Sequence, residues 1–227
     1  MFEATLLIML FRLVALTIGF TLHELGHALA SVYLGDPTPR LQGRLSLNPL
    51  RHLDPMGAVA LFLMVTVGWF FAWAKPVQID PRYYPNFRRG MILVAAAGPL
   101  MNFIVALMGA ALYGIFNQLG MTGPLLSTFI SILIVWNLVL LVFNLIPIPP
   151  LDGGKILAML LPGETAFRYL TWGEQWGLGV ILALIFVDLF IPGLPFSPFS
   201  LWFKGWFSGL YYLLDLLVPA PLPRPGL

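Results

Sequence analysis

Residues 23–27 read His-Glu-Leu-Gly-His. On a helix, positions i and i+4 lie one turn apart on the same face. Two imidazole nitrogens so placed can reach one metal ion at about 2.0–2.1 Å. Glu24 would then stand beside a water polarised by that ion. It could take the water's proton as a general base while the metal lowers the water's pKa. The expected chemistry is metal-assisted hydrolysis, with His23 and His27 as ligands and Glu24 as the base. A chance spacing of this kind is a weak signal in a soluble helix. Here three polar groups interrupt an apolar run from about Ala4 to Leu34. An acidic residue in such a run costs about 2.5–3.5 kcal/mol on insertion scales, so it defaults to function.

Two histidines are too few for a catalytic metal, which usually has three protein ligands and one open position. The one other histidine is His52, and the chain has no cysteine. A carboxylate is therefore the natural third ligand, and Asp152 is the best candidate. It stands in Pro147-Ile148-Pro149-Pro150-Leu151-Asp152-Gly153-Gly154, where the prolines break a helix. Irregular backbone at membrane depth must line a cavity or be buried in protein. The competing reading makes Asp152 the N-cap of a helix that begins at Gly153.

The elements that must position these residues follow from composition. Of 227 residues, 59% are hydrophobic and 10% charged, and the mean hydropathy is +0.89. Soluble domains carry roughly 25% charge, so lipid must be the solvent for most of this chain. The net charge of +2 and the scattered basic residues give no nucleic-acid footprint. The absence of cysteine excludes a disulfide framework and thiolate chemistry. The fold class expected is all-α polytopic, one domain over 1–227, with the catalytic core at about 4–160 and C-terminal helices at about 173–218.

Apolar runs at 4–34, 90–117, 125–146, 176–191 and 201–218 read as spans. The run Met56–Trp73 rises roughly 27 Å as a helix, marginal for a hydrocarbon core of about 30 Å. Alternation at Arg40–Leu47 and the polar run Lys75–Ile79 suggest a small β element at 40–47 and 75–79. Basic residues cluster in three connections, and the connection 118–124 has no charge. Positive-inside bias puts the three basic connections in the cytoplasm. That works if Met56–Trp73 is re-entrant, giving five spans and an outside N-terminus; a crossing segment gives six.

His-Glu-x-x-His on a helix is the zinc metallopeptidase pattern. Together with Asn144-Leu-Ile-Pro-Ile-Pro-Pro-Leu-Asp152-Gly-Gly and the intervening Gly98-Pro-Leu-Met-Asn102, it resembles the site-2 protease family of intramembrane zinc metalloproteases. It is similar in particular to a compact bacterial and archaeal subgroup without PDZ or CBS domains. The resemblance implies one zinc ion on His23, His27 and Asp152, with Glu24 as base. It also implies cleavage of a peptide bond in a locally unwound helix of a single-span membrane protein. The setting would be a multi-pass protein in a prokaryotic inner (plasma) membrane, its active site toward the cytoplasm, with the two short strands holding substrate by edge pairing. Asn144 is implied as an oxyanion donor, against a plain reading as an interhelical amide. Asn102 reads as an amide packed on the His-Glu helix, with Gly98 allowing close approach.

Other polar residues read more simply. His52 is a surface or loop-anchoring histidine, with a contact near the site as the alternative. Asp54 caps the following helix, and Arg12 snorkels or pairs with a carboxylate. Asp188 and Asp215 pair with Lys204 or line a gate. Aromatics at 69–73 and 202–212 fit interfacial belts. The rival function is a metal-binding membrane protein or transporter using the same residues, which would need ligands spread along a path.

Overall fold

The computed structural model describes residues 2–67, 72–190, 198–218 and 222. Most of the turn expected at Pro192–Pro198, the aromatics of 69–71 and the side chain of Asp188 lie outside the described residues. The helices are α1 (Phe2–Tyr33), α2 (Thr38–Leu41), α3 (Pro55–Val67), α4 (Phe87–Gln118), α5 (Pro124–Asn144), α6 (Asp152–Leu160), α7 (Gly163–Trp172), α8 (Leu178–Phe190) and α9 (Pro198–Leu217). A π-helical turn, Gly173–Gly177, joins α7 to α8.

Among the described residues, four helices are long and apolar enough to cross a membrane. These are Thr5–Tyr33, Phe87–Gln118, Pro124–Asn144 and the run Gly163–Val187. The last begins well before the expected Trp176. α1, α4 and α5 pack on one another, and α6 packs on α4. The main core joins Ala106 and Ala110 of α4, Ile134 and Leu138 of α5, and Phe207 and Leu214 of α9. Large side chains such as Leu6, Leu93, Met108 and Leu125 stay more than half exposed. Such a belt is costly in water and neutral in lipid.

α3 has 13 residues and rises about 20 Å, short of a hydrocarbon core. The two ends of this segment meet. Leu53 and Ala74 form an antiparallel bridge, and the Lys75 N–H donates to the His52 carbonyl at 2.8 Å. The two ends of the segment therefore lie side by side, which is what a re-entrant path would require.

The expected strands do not form. Residues 38–41 make the single turn α2, which ends at Gly43 with a φ of +67°. The alternation there has another cause: Arg44 is buried, and its guanidinium donates to the carbonyls of Arg51, Lys75 and Pro76. The Lys75–Ile79 stretch forms no strand ladder among the described residues: Arg44 takes the carbonyls of Lys75 and Pro76, Glu24 takes the Val77 N–H, and Pro76 has no donor. Asp36 pins the far end, its carboxylate accepting from the N–H of Thr38, the N–H of Asp80 and the Ser31 hydroxyl.

Candidate metal centre

α1 carries His23, Glu24 and His27 in its C-terminal third, with His27 about 9 Å from the helix end at Tyr33. Asp152 is the first residue of α6, placed by the turn that follows α5. That turn fits because glycines meet it: a Cβ on Gly153 would overlap the Leu145 carbonyl, and one on Gly154 would overlap Pro149. α4 closes the third side. A Cβ on Gly98 would lie 2.5 Å from His27 Cε1 and 2.8 Å from His23 Cε1, so only glycine lets α4 reach the two rings.

The sequence-expected groups meet here. His23 Nε2 and His27 Nε2 are 3.1 Å apart, and each is 3.2 Å from Asp152 Oδ2. Tetrahedral ligands about 2.0–2.1 Å from a zinc ion stand about 3.3 Å from one another. All three residues are buried. Hydrogen bonding on the far side of each ring decides which nitrogen faces inward. His23 Nδ1 lies 2.7 Å from Asn102 Oδ1, and His27 Nδ1 lies 2.7 Å from the Val94 carbonyl. Both partners accept, so each Nδ1 carries the proton and each Nε2 presents a lone pair. Asp152 Oδ2 has no hydrogen-bond partner. Three acceptors thus converge with no donor between them, a costly arrangement unless a cation lies there. The donor set fits zinc.

Asn102 is fixed by its own contacts. Its Nδ2 donates to the Gly19 carbonyl and to Asn137 Oδ1, both at 3.1 Å. Asn137 in turn donates to Leu133 of its own helix at 2.9 Å. Both amides are fully buried. Asn137 was not anticipated, although the sequence held a signal: an amide inside an apolar span, seven residues before Asn144 and so on the same face. Lys155, whose ammonium sits 3.0 Å from Asp152 Oδ1, was likewise missed.

Glu24 lines a cavity of about 580 Å³ together with His23, His27, Asn144 and Asp152. Its apolar walls come from Phe20, Met64, Trp136, Val139, Leu140 and Phe143, and from Trp73, Pro76, Val77 and Ile79. Glu24 Oε2 accepts the Val77 N–H at 3.0 Å. Asn144 Nδ2 donates to the Leu140 carbonyl at 2.9 Å, one turn back.

The remaining expectations divide. His52 is fully buried, and its ring anchors the loop through the Ser46 carbonyl at 2.7 Å. Asp54 caps α3 through the N–H groups of Met56 and Gly57. Arg12 forms no ion pair among the described residues. Asp215 accepts the Leu222 N–H at 2.7 Å and forms no ion pair with Lys204 among the described residues.

Comparison with known proteins gives the family. Residues 116–186 match the model of Peptidase family M50. YwhC of Bacillus subtilis is 38% identical over 86% of this chain and 85% of its own length. Rip2 of Mycobacterium tuberculosis is 32% identical over 88% of this chain and 71% of its own. Both carry provisional zinc-metalloprotease names. A zinc metalloprotease of Methanocaldococcus jannaschii is 30% identical over 70% of this chain and 35% of its own length. No solved structure matches the chain. The chain belongs to peptidase family M50, the site-2 protease family of membrane zinc metallopeptidases.

Proposed function

We propose that this chain hydrolyses a peptide bond within or near a transmembrane helix of a single-span membrane protein. In this reading His23, His27 and Asp152 hold one zinc ion, and Glu24 is the general base. The observation that carries it is the convergence of three acceptor atoms on one point beside Glu24, in an apolar cavity. Zinc at that point would polarise the substrate carbonyl and acidify an attacking water. Glu24 has one oxygen held by the Val77 N–H, which leaves the other to take the water's proton and pass it to the leaving amine. Asn144 spends one Nδ2 hydrogen on Leu140. Its second is available to the carbonyl oxygen as charge develops.

The apolar walls suit an unwound stretch of a hydrophobic helix. The site lies near the end of α1 that leads into the basic connection holding Arg40, Arg44 and Arg51. Positive-inside bias then turns it toward the cytoplasm of a prokaryotic plasma membrane. We read 1–227 as one domain in which 4–160 build the site and 173–218 pack outside it.

Glu24→Gln is the decisive variant. It should keep one zinc per chain and lose cleavage of a single-span reporter. Membranes carrying it should accumulate single-span fragments that the unaltered protein removes. Full activity in this variant would refute the mechanism.

A further inference from the structure

Lys155 stands where a cation is locally unfavourable. It lies in the first turn of α6, which begins at Asp152, and a positive charge there opposes the helix dipole. Local rules broken without local gain mark positions held for another reason. Its side chain is half exposed, whereas the Asp152 carboxylate is buried, and the two join at 3.0 Å across one turn. The contact divides the carboxylate. Oδ1 accepts from the Lys155 ammonium, while Oδ2 faces both histidine Nε2 atoms at 3.2 Å. Among the described residues, Lys155 pairs with no other carboxylate.

We infer that Lys155 is a positioning residue that occupies Asp152 Oδ1, so that Asp152 offers the metal one oxygen and the fourth position stays open. The inference rests on the ligand set proposed above. A carboxylate with both oxygens free can bind two-pronged. Its second oxygen would then fill the place that a catalytic site keeps for water and substrate. Lys155 lines the cavity, so its charge reaches Asp152 from the side proposed for substrate.

The test uses the full-length protein in detergent, with zinc affinity from chelator competition and coordination from zinc X-ray absorption. Lys155→Met should tighten zinc binding about 10-fold, since it removes a positive charge beside the ion and frees a second ligand oxygen. It should also add a second oxygen contact from Asp152. Lys155→Arg should restore both readouts. Should Lys155→Met fail to purify, Lys155→Gln, whose shorter amide falls short of Asp152, supplies the same comparison. Unchanged affinity and coordination would overturn the inference. So would any change in affinity with unchanged coordination, since charge alone would then be acting. Asp152→Asn separates the two layers: if it binds zinc like the unaltered protein, the ligand set is wrong, not merely the role of Lys155.

Discussion

Asn102→Ala tests whether the metal site depends on a residue that never touches the metal. The side chain is fully buried and makes three contacts. It accepts from His23 Nδ1 at 2.7 Å and donates to Gly19 and Asn137 at 3.1 Å each. The Gly19 carbonyl lies inside α1 and keeps its helical bond, so that loss is small. The other two leave a buried N–H and a buried amide oxygen without partners. Soluble-protein values put this at about 1–3 kcal/mol per group. Interhelical bonds in a membrane average about 0.6 kcal/mol, with a maximum near 1.7. The membrane scale applies here, because an unfolded helix in lipid also finds partners. It gives about 1–3 kcal/mol of bundle stability for the pair. The metal readout is separate. Without its acceptor, His23 can rotate and shift its proton to Nε2, and zinc affinity should fall 10- to 100-fold. Asn102→Asp keeps an acceptor for His23 but no donor for Asn137, so it should lose stability and retain more of the affinity. Asn137→Leu should lower stability with less than a tenfold change in affinity. Chelator competition and thermal unfolding in one detergent read both quantities. If Asn102→Ala lowers stability while zinc binds as before, Asn102 is only an interhelical amide, and the assigned His23 orientation is wrong.

Gly98→Ala would place a methyl within 2.5–2.8 Å of both histidine rings. Those rings are held by hydrogen bonds and cannot withdraw, so α4 must back away at about 1–3 kcal/mol, and zinc content after purification should drop. Asp36 governs the pH response of the basic connection. Burial pushes its carboxyl up, but hydrogen bonds from Thr38, Asp80 and Ser31 outweigh this and hold it below the ordinary value. A depressed folded-state pKa stabilises above the unfolded value of about 3.9 and is lost as pH falls through the folded one. Proteolysis of residues 34–84 should therefore accelerate below about pH 4. Asp36→Asn should be cut faster at neutral pH and show a flatter acid response; no change at either pH would remove the pinning role. Because the chain has no cysteine, single cysteines at Thr38 and Tyr83 can be labelled directly. Both should react from the same side, and opposite-side labelling would refute the re-entrant path.

The candidate site residues were legible because the chemistry proposed for them leaves a local mark. Charged and polar residues in lipid-grade sequence are too costly to be incidental, so His23, Glu24, His27 and Asp152 stood out one by one. The long spans were legible for the same reason, since each satisfies its own backbone and needs only a sustained apolar run. The stretches Arg40–Leu47 and Lys75–Ile79 were misread as strands, the first because alternation records which side chains are buried, not why. Here burial of Arg44 and Asp36 serves to capture backbone carbonyls and N–H groups from other parts of the chain, and no periodicity encodes those partners. Asn137 and Lys155 escaped for a related reason. Each acts through one residue brought within about 3 Å by packing, and its sequence neighbourhood is an ordinary helix. The sequence by itself determined which atoms could bind a metal. Only the tertiary structure decided which way each ring faces and which carboxylate oxygen is left free, because a hydrogen bond across helices is a property of a contact and not of a segment.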